Sequence, residues 1–143
     1  MIEKTILLVE DNPDDVELAL HALKRHKLAN TVHVARDGAE ALSFIFGDDS
    51  SDALLHRPRL ILLDLKLPKI DGLEVLERLK ADPRSKKIPV VVLTSSNQEP
   101  YLQRAYERGA KRYIMKPVDF EQFVDAVQKL GFYWLLLNQA PTI

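Results

Sequence analysis

The chain has 143 residues, the usual length of one globular domain. Its 20 basic and 21 acidic residues give a formal net charge of -1, which excludes strong whole-molecule attraction to nucleic acid or to an anionic membrane. Cysteine is absent, so disulfides, thiolate catalysis and Cys-based zinc sites are ruled out. No apolar run has the length of a membrane span and the N-terminus has no signal-peptide pattern, so we expect a cytoplasmic protein.

Five hydrophobic segments predict five strands. The continuous aliphatic runs Ile6–Val9, Leu60–Leu63 and Val90–Leu93 are typical of strands buried on both faces of a parallel sheet. Weaker strands are predicted at Thr31–Ala35, which suits a sheet edge, and at Tyr113–Met115. The predicted sheet is therefore parallel and has three central strands.

Amphipathic segments follow the predicted strands, and polar N-cap residues mark where three of them begin. Helices are expected after the caps Asn12, Asp37 and Asp71, from about Gln98, and from near Asp119. Gly109 suits the left-handed end of the fourth helix. Because parallel strands need right-handed crossovers, five β-α units predict an α/β three-layer sandwich with helices on both faces of the sheet.

Charged and hydroxyl residues follow the predicted strands, at the sheet edge where parallel α/β proteins bind ligands. They are Glu10 and Asp11 after the first strand, Asp64 at the third, Thr94 at the fourth and Lys116 at the fifth. Three neighbouring carboxylates need compensating cations, which Lys116 and an oxygen-seeking Mg²⁺ ion would supply. One carboxylate would attack a phosphoryl group, while Thr94 would donate a hydrogen bond to a phosphoryl oxygen.

Each of these residues also has an ordinary structural interpretation. Glu10 and Asp11 suit the start of a helix, Asp64 and Thr94 suit turns or caps, and a lone lysine is usually solvated. Their joint position at the strand ends favours a site that binds Mg²⁺ and a phosphoryl group.

The sequence resembles the receiver domain of two-component response regulators over about residues 4–130. The motifs that carry the resemblance are Leu7–Asn12, Leu62–Pro68 with Asp71-Gly72, Pro89–Ser95, Gly109-Ala110 and Tyr113–Pro117. The resemblance implies a flavodoxin-like (βα)5 fold whose parallel sheet has the strand order 2-1-3-4-5. It also implies a single receiver domain over residues 1–143, with a helical C-terminal extension at about 131–140.

The resemblance implies the ligands of the metal ion and the site of phosphorylation. Asp64 is expected to be the phosphoacceptor. Asp11, Asp64 and the backbone carbonyl of Lys66 are expected to bind Mg²⁺, or alternatively Mn²⁺, directly, and Glu10 is expected to bind it through a water molecule. The Lys66 side chain either alters the hydrolysis rate of the phosphorylated form or simply faces solvent.

Further roles follow from the same resemblance. Lys116 is expected to contact the phosphoryl group, with Thr94 as the switch hydroxyl. Tyr113 is the expected switch aromatic, which is compatible with a place at the edge of the core. The peptide bond before Pro117 is expected to be cis.

The nearest subgroup is similar to small single-domain regulators paired with cyanobacterial and bacterial phytochromes. The segments that indicate this subgroup are Glu10–Leu18, Ala35–Gly38, Lys80–Pro83, Met115–Asp119 and Phe132–Leu135. They imply a phytochrome-type sensor histidine kinase as partner, although related regulators serve other kinases, and a histidine phosphotransfer protein is a further candidate. Asp14, Asp15 and Leu18 either form a kinase-docking face or are a solvated helix face.

The C-terminal segment has an apolar composition on more than one helical side. Phe132, Trp134, Leu135 and Leu136 should not face water. We expect homodimerisation through the last helix and this extension, with folding of the segment back onto the domain as the alternative. Because no DNA-binding motif or membrane segment is recognisable, the output is expected to lie on the protein's own surface.

Three functions remain open on the sequence. The first is a phosphorylation-dependent switch that catalyses only its own phosphorylation and dephosphorylation, and so is not an enzyme in the usual sense. The second is a small Mg²⁺-dependent phosphohydrolase with Asp64 as nucleophile, against which Lys66 stands where a second acid would be needed. The third is an interaction module that is never phosphorylated.

Overall fold

A parallel five-stranded sheet forms the centre of the described structure. The computed structural model describes residues 5–24, 31–47, 54–94, 99–110, 112–116, 121–123 and 125. The strands are β1 Thr5–Val9, β2 Thr31–Ala35, β3 Leu60–Asp64, β4 Val90–Thr94 and β5 Arg112–Met115. All neighbouring strands pair in parallel in the order β2-β1-β3-β4-β5, which confirms the predicted sheet.

The helices lie on both faces of this sheet. Their bounds are α1 Pro13–Lys24, α2 Gly38–Phe46, α3 Gly72–Ala81 and α4 Glu99–Glu107. Residues from α2, α3 and α4 share one hydrophobic cluster, while α1 and the helical residue Phe123 belong to the cluster on the opposite face. The predicted three-layer sandwich is therefore confirmed.

The central strands have no polar face because both of their faces are covered. In β1, Leu7 and Val9 pack toward α2 and α3, whereas Ile6 and Leu8 pack toward α1. All four side chains are fully buried. This two-sided burial explains why the sequence shows continuous apolar runs rather than alternation.

The three predicted N-cap positions are confirmed, and two of the three side chains make a capping hydrogen bond. The Asn12 side chain accepts a hydrogen bond from the Asp14 N–H at 2.9 Å, and the Asp37 side chain accepts one from the Glu40 N–H at 2.7 Å. Asp71 also lies at the predicted N-cap position, directly before α3, but its side chain makes no capping hydrogen bond. The N–H of the first helical residue, Gly72, donates to the Leu65 carbonyl at 2.9 Å, so the preceding loop satisfies one of the free N–H groups of α3.

The loop between β3 and α3 is held between the first residues of two helices. A Cβ atom on Gly72 would collide with the Asp64 carbonyl, and one on Gly38 would collide with the Ile70 carbonyl. The loop also contains Lys69 at a φ of 67°, in the left-handed region. These contacts fix the backbone that leads away from Asp64.

The end of α4 agrees with the sequence prediction. Gly109 has a φ of 101°, a conformation that favours glycine, and it follows directly after the last turn. Among the described residues, no helix is both long and apolar enough to cross a membrane. The predicted start of the last helix at Asp119, the bond before Pro117 and the C-terminal extension lie outside the described residues.

Candidate functional site

The site lies at the carboxyl ends of β1, β3 and β5. Glu10 directly follows β1, and its N–H donates to the Ala35 carbonyl at the end of β2 at 3.0 Å. Asp64 is the last residue of β3. Both acidic residues are buried, with 1% and 5% of their surface exposed, whereas Asp11 is exposed. Two acids are thus held in the sheet edge, and a third lies at the surface beside them.

One ammonium group connects the acidic residues. Lys116 Nζ lies 2.9 Å from Glu10 Oε2 and 3.1 Å from Asp64 Oδ2. It also lies 3.1 Å from Asp15 Oδ2. An ammonium has three N–H groups, and these three carboxylates accept all of them. The Lys116 backbone N–H donates to the Thr94 carbonyl at 2.7 Å, which fixes the lysine at the end of β5 beside β4.

The sequence interpretation did not assign Asp15 to this site. It gave Asp14 and Asp15 in the first turn of α1 as either a kinase-docking face or a solvated helix face. The available signal is positional: α1 begins four residues after β1, so its first turn lies beside the carboxyl edge of the sheet. The structure brings Asp15 to Lys116 across 101 residues of sequence.

Burial and neighbouring charges shift the pKa values of Glu10 and Lys116. Desolvation raises the pKa of Glu10 from 4.5 to about 7; the Asp64 charge adds to this rise, and the hydrogen bond from Lys116 opposes it. For Lys116, desolvation alone would lower the pKa. The hydrogen bond to Glu10 and the negative charges of Asp64 and Glu10 outweigh it, so the pKa of Lys116 lies above its ordinary value and the ammonium stays charged.

The donor set fits a divalent cation. Glu10, Asp11 and Asp64 each offer a carboxylate oxygen, and these oxygens lie within 4.8 Å of one another. With Asp15 added, the site has four carboxylates and one ammonium, which leaves an excess of negative charge. Hard oxygen ligands and excess negative charge are what Mg²⁺ and Mn²⁺ prefer. The three carboxylates can therefore hold such an ion.

The two oxygens of Asp64 have different partners. Oδ2 accepts from Lys116, and Oδ1 accepts from the Lys66 backbone N–H at 3.2 Å. The Lys66 side chain itself is exposed. The carboxylate is thus oriented from two sides by N–H donors, and a cationic group stands next to the oxygen of a potential nucleophile.

Thr94 lies on β4, the strand next to Asp64, and Tyr113 lies on β5, one strand further out. In the sheet register Asp64 pairs with Leu93, so Thr94 is one residue beyond the pair of the predicted phosphoacceptor. Tyr113 is in β5 and 41% of its surface is exposed. The structure therefore gathers Glu10, Asp11, Asp64 and Lys116 at one edge, with Thr94 next to them and Tyr113 facing outward. The predicted partner residues Phe132, Trp134, Leu135 and Leu136 lie outside the described residues.

Comparison with known proteins identifies the family. A family model described as the response regulator receiver domain matches residues 6–128. The chain belongs to this family. Among solved structures it is similar to the bacteriophytochrome response regulator AtBRR, at 49% identity over 97% of this chain and 99% of that chain, with a TM-score of 0.81.

Two further relatives match most of this chain. Response regulator Rcp1 of Synechocystis sp. is 39% identical over 92% of this chain and 89% of its own length. A solved structure of Rcp1 is an Mn²⁺-bound form; it is 38% identical, covers 96% of this chain and 99% of that chain, and has a TM-score of 0.72. FilR2 of Methanothrix harundinacea, named a probable methanogenesis regulatory protein, is 40% identical over 95% of this chain and 86% of its own length.

Proposed function

We propose that the chain is a stand-alone, cytoplasmic response regulator in which Asp64 accepts a phosphoryl group from a histidine kinase. The observation that carries this proposal is the Lys116 ammonium between Glu10 and Asp64, because it places positive charge where a phosphoryl group would meet the Asp64 oxygen. Membership of the receiver family supports the same assignment. AtBRR, of which this chain covers 99%, supports the stand-alone architecture.

The proposed reaction is phosphoryl transfer between a nitrogen and a carboxylate oxygen. An Asp64 oxygen forms a new bond to phosphorus, the bond from phosphorus to the donor imidazole nitrogen breaks, and the imidazole leaves with a proton taken from solvent. Lys116 stabilises the negative oxygens of the transferred group, and the Thr94 hydroxyl donates to one of them. Hydrolysis of the acyl phosphate by water resets the protein, so the chain acts only on itself.

A divalent cation, Mg²⁺ or Mn²⁺, is the proposed cofactor. Asp11, Asp64 and the Lys66 carbonyl would bind it directly, and Glu10 would bind it through water. When bound, it neutralises charge on the phosphoryl oxygens. The carboxylate group described above supports this proposal, and Rcp1 provides a relative with Mn²⁺ bound.

Intact-mass measurement with acetyl phosphate tests the proposal. The wild-type chain should gain one phosphoryl group in the presence of Mg²⁺, and none in EDTA. Asp64→Asn should gain none in either condition, while Asp71→Asn, at an exposed acid directly before α3, should behave as wild type. Lys116→Met should slow phosphorylation by about 10²–10³-fold, the usual effect of removing one oxyanion donor. Wild-type protein that gains no phosphoryl group would favour an unphosphorylated interaction module, and rapid turnover without an adduct would favour a phosphohydrolase.

We propose a phytochrome-type sensor kinase as the donor. Support comes from AtBRR, a bacteriophytochrome response regulator with 49% identity over nearly the full length of both chains. The exposed face of α1 is the proposed kinase contact, because Asp14 and Leu18 on that face line a cleft of about 540 Å³ and adjoin the site. Light-dependent transfer from a purified phytochrome kinase, lost on Leu18→Arg but not on Leu55→Arg, is the expected result. Transfer only from a kinase without a light sensor would overturn the assignment.

The proposed output is a change in self-association or in binding of a partner, such as a histidine phosphotransfer protein. Phosphorylation of Asp64 would shift Thr94 and Tyr113 between two arrangements. The apolar composition of the extension containing Phe132, Trp134 and Leu135 supports homodimerisation, as does the exposure of Tyr106 and Tyr113 on the surface of α4 and β5. Sedimentation of wild-type and Trp134→Glu protein, with and without acetyl phosphate, tests this output. A monomer in every condition would contradict dimerisation.

A further inference from the structure

Asp15 is the acid in the site that the receiver motifs do not explain. Its side chain is 26% exposed, and its Oδ2 lies 3.1 Å from Lys116 Nζ. The other two partners of that ammonium, Glu10 and Asp64, belong to the group of carboxylates that can hold a metal ion. Among the described residues, Asp15 is the carboxylate bound to Lys116 that does not belong to that group.

A divalent cation and Lys116 compete for the carboxylates of Glu10 and Asp64. In this structure both Glu10 oxygens and Asp64 Oδ2 accept hydrogen bonds from Lys116. Oxygens that serve a divalent cation, or that form the acyl phosphate, are less available to the ammonium. A lysine ammonium without partners on its flexible four-carbon stem is readily solvated. Asp15 takes part in neither role, so its contact with Lys116 can persist through the cycle.

The position of Asp15 is fixed from the end of β1. The Asn12 side chain accepts from the N–H groups of Asp14 at 2.9 Å and of Asp15 at 3.3 Å, which anchors the first turn of α1. Asn12 in turn donates its backbone N–H to Glu10 Oε1 at 3.2 Å. The helix cap therefore ties Asp15 to the same edge of the sheet that carries the acids.

Building on the proposed function, we propose that Asp15 is a positioning residue for Lys116. It keeps the ammonium in the site when Glu10 and Asp64 are engaged with the divalent cation or with the phosphoryl group. Lys116 is then already in place to stabilise the phosphoryl oxygens, and it gives up its bonds to the acids without leaving the site.

A double-mutant cycle on Mg²⁺ affinity tests this role. Calorimetric titration of the full chain with Mg²⁺ would compare wild type, Asp15→Ala, Lys116→Met and the double variant. In the presence of Lys116, Asp15→Ala should weaken Mg²⁺ binding by about fivefold to tenfold. In the metal-free protein Glu10 and Asp64 still hold the ammonium, so the loss of Asp15 costs little there. With the cation on those acids, Asp15 is the partner that remains, and its removal costs about one hydrogen bond between charged groups. In the Lys116→Met background the same change should weaken binding by about twofold or less, because only the remote charge remains.

Matched variants distinguish the effect of the Asp15 bond to Lys116 from the effect of a negative charge near the site. Asp14→Ala removes the same charge one residue earlier in the helix and should have only the small remote effect. Asp15→Asn keeps an acceptor oxygen and should lie between wild type and Asp15→Ala. Lys116→Gln replaces Lys116→Met if circular dichroism shows that the latter is unfolded.

Two outcomes would overturn the proposal. Equal weakening in both backgrounds would show that Asp15 acts on the cation directly by its charge, and no weakening in either would show that it does not act at all. The titration needs no phosphodonor, so its result is independent of whether Asp64 is phosphorylated. With acetyl phosphate at saturating Mg²⁺, slower phosphorylation of Asp15→Ala than of Asp14→Ala would further support the role, and equal rates would contradict it for the phosphorylation step.

Discussion

The interior of the sheet and its carboxyl edge are built by different rules, and β3 contains both. Leu60–Leu63 are buried among aliphatic neighbours, and the next residue, Asp64, is buried among charged ones. In the interior, a buried aliphatic side chain is stabilised by any apolar neighbour that packs well against it. At the edge, each buried charge needs a particular partner, because an unpaired one costs several kcal/mol. The fold therefore depends on apolar character at many positions, whereas the site depends on the particular residue at a few positions.

The largest expected effect on stability is a core truncation. Leu62→Ala should lower the free energy of unfolding by about 4 kcal/mol, because it removes a buried side chain and leaves a cavity. Leu55→Ala is the matched control and should change it by less than about 0.5 kcal/mol, since Leu55 is 60% exposed. Urea denaturation measures both. Similar values for the two leucines would contradict the packing described for the sheet interior.

Removal of the Lys116 ammonium should have the second-largest effect on stability. Lys116→Met should lower the free energy of unfolding in EDTA by about 3 kcal/mol, because it leaves buried carboxylates without their partner. Mg²⁺ should restore much of this loss, since the ion supplies the missing positive charge. Lys66→Met, at an exposed side chain beside the site, should change stability little. A loss that Mg²⁺ does not reduce would argue against a cation site at the acids.

Replacement of Glu10 should raise the free energy of unfolding, by an amount that depends on pH. The pKa of Glu10 is raised in the fold from 4.5 to about 7, so the folded state favours the neutral acid, and ionisation costs stability as pH rises between these values. In EDTA, Glu10→Gln should therefore be more stable than wild type by about 2 kcal/mol at pH 8 and by little at pH 4.5. Glu17→Gln, at an exposed position of α1, should show no such trend. Denaturation curves at both pH values give the difference, and a constant gap would contradict the assigned pKa.

The smallest expected effect concerns a helix cap away from the buried charges. The pKa of Asp37 lies below its ordinary value of 3.8, mainly because it accepts from the Glu40 N–H and also because Lys69 is near. Asp37→Ala should lower the Tm by a few degrees at pH 7, and the gap should narrow as pH falls below about 3.8, where the wild-type acid becomes protonated. Asp71→Ala is the matched control, because its side chain makes no cap bond. Equal shifts would show that the Asp37 bond contributes nothing.

The contrast between the interior and the edge also explains what the sequence could predict. The aliphatic runs identified β1, β3 and β4 because continuous burial leaves a local pattern. Strand order and the cluster of acids followed from the receiver resemblance and from the rule for parallel sheets. The roles of Asp64 and Asp11 as phosphoacceptor and metal ligand stay predictions.

The missed features depend on contacts that local sequence does not encode. The bond between Asp15 and Lys116 joins residues 101 positions apart, and its acid looks like ordinary helix-start charge. At Asp71 the residue type suits an N-cap, but the side chain makes no capping hydrogen bond in the fold. Residue type alone decided neither feature.

The tight seating of the loop between β3 and α3 has a thermodynamic consequence. Gly38 and Gly72 let the backbone of α2 and α3 press against the loop on either side of Lys66, so this backbone is already ordered before any ligand arrives. A carbonyl ligand on a flexible loop would lose about 1–2 kcal/mol of conformational freedom for each residue that binding immobilises. In this protein that entropy has been lost during folding, so a ligand that bound to this backbone would not have to order it.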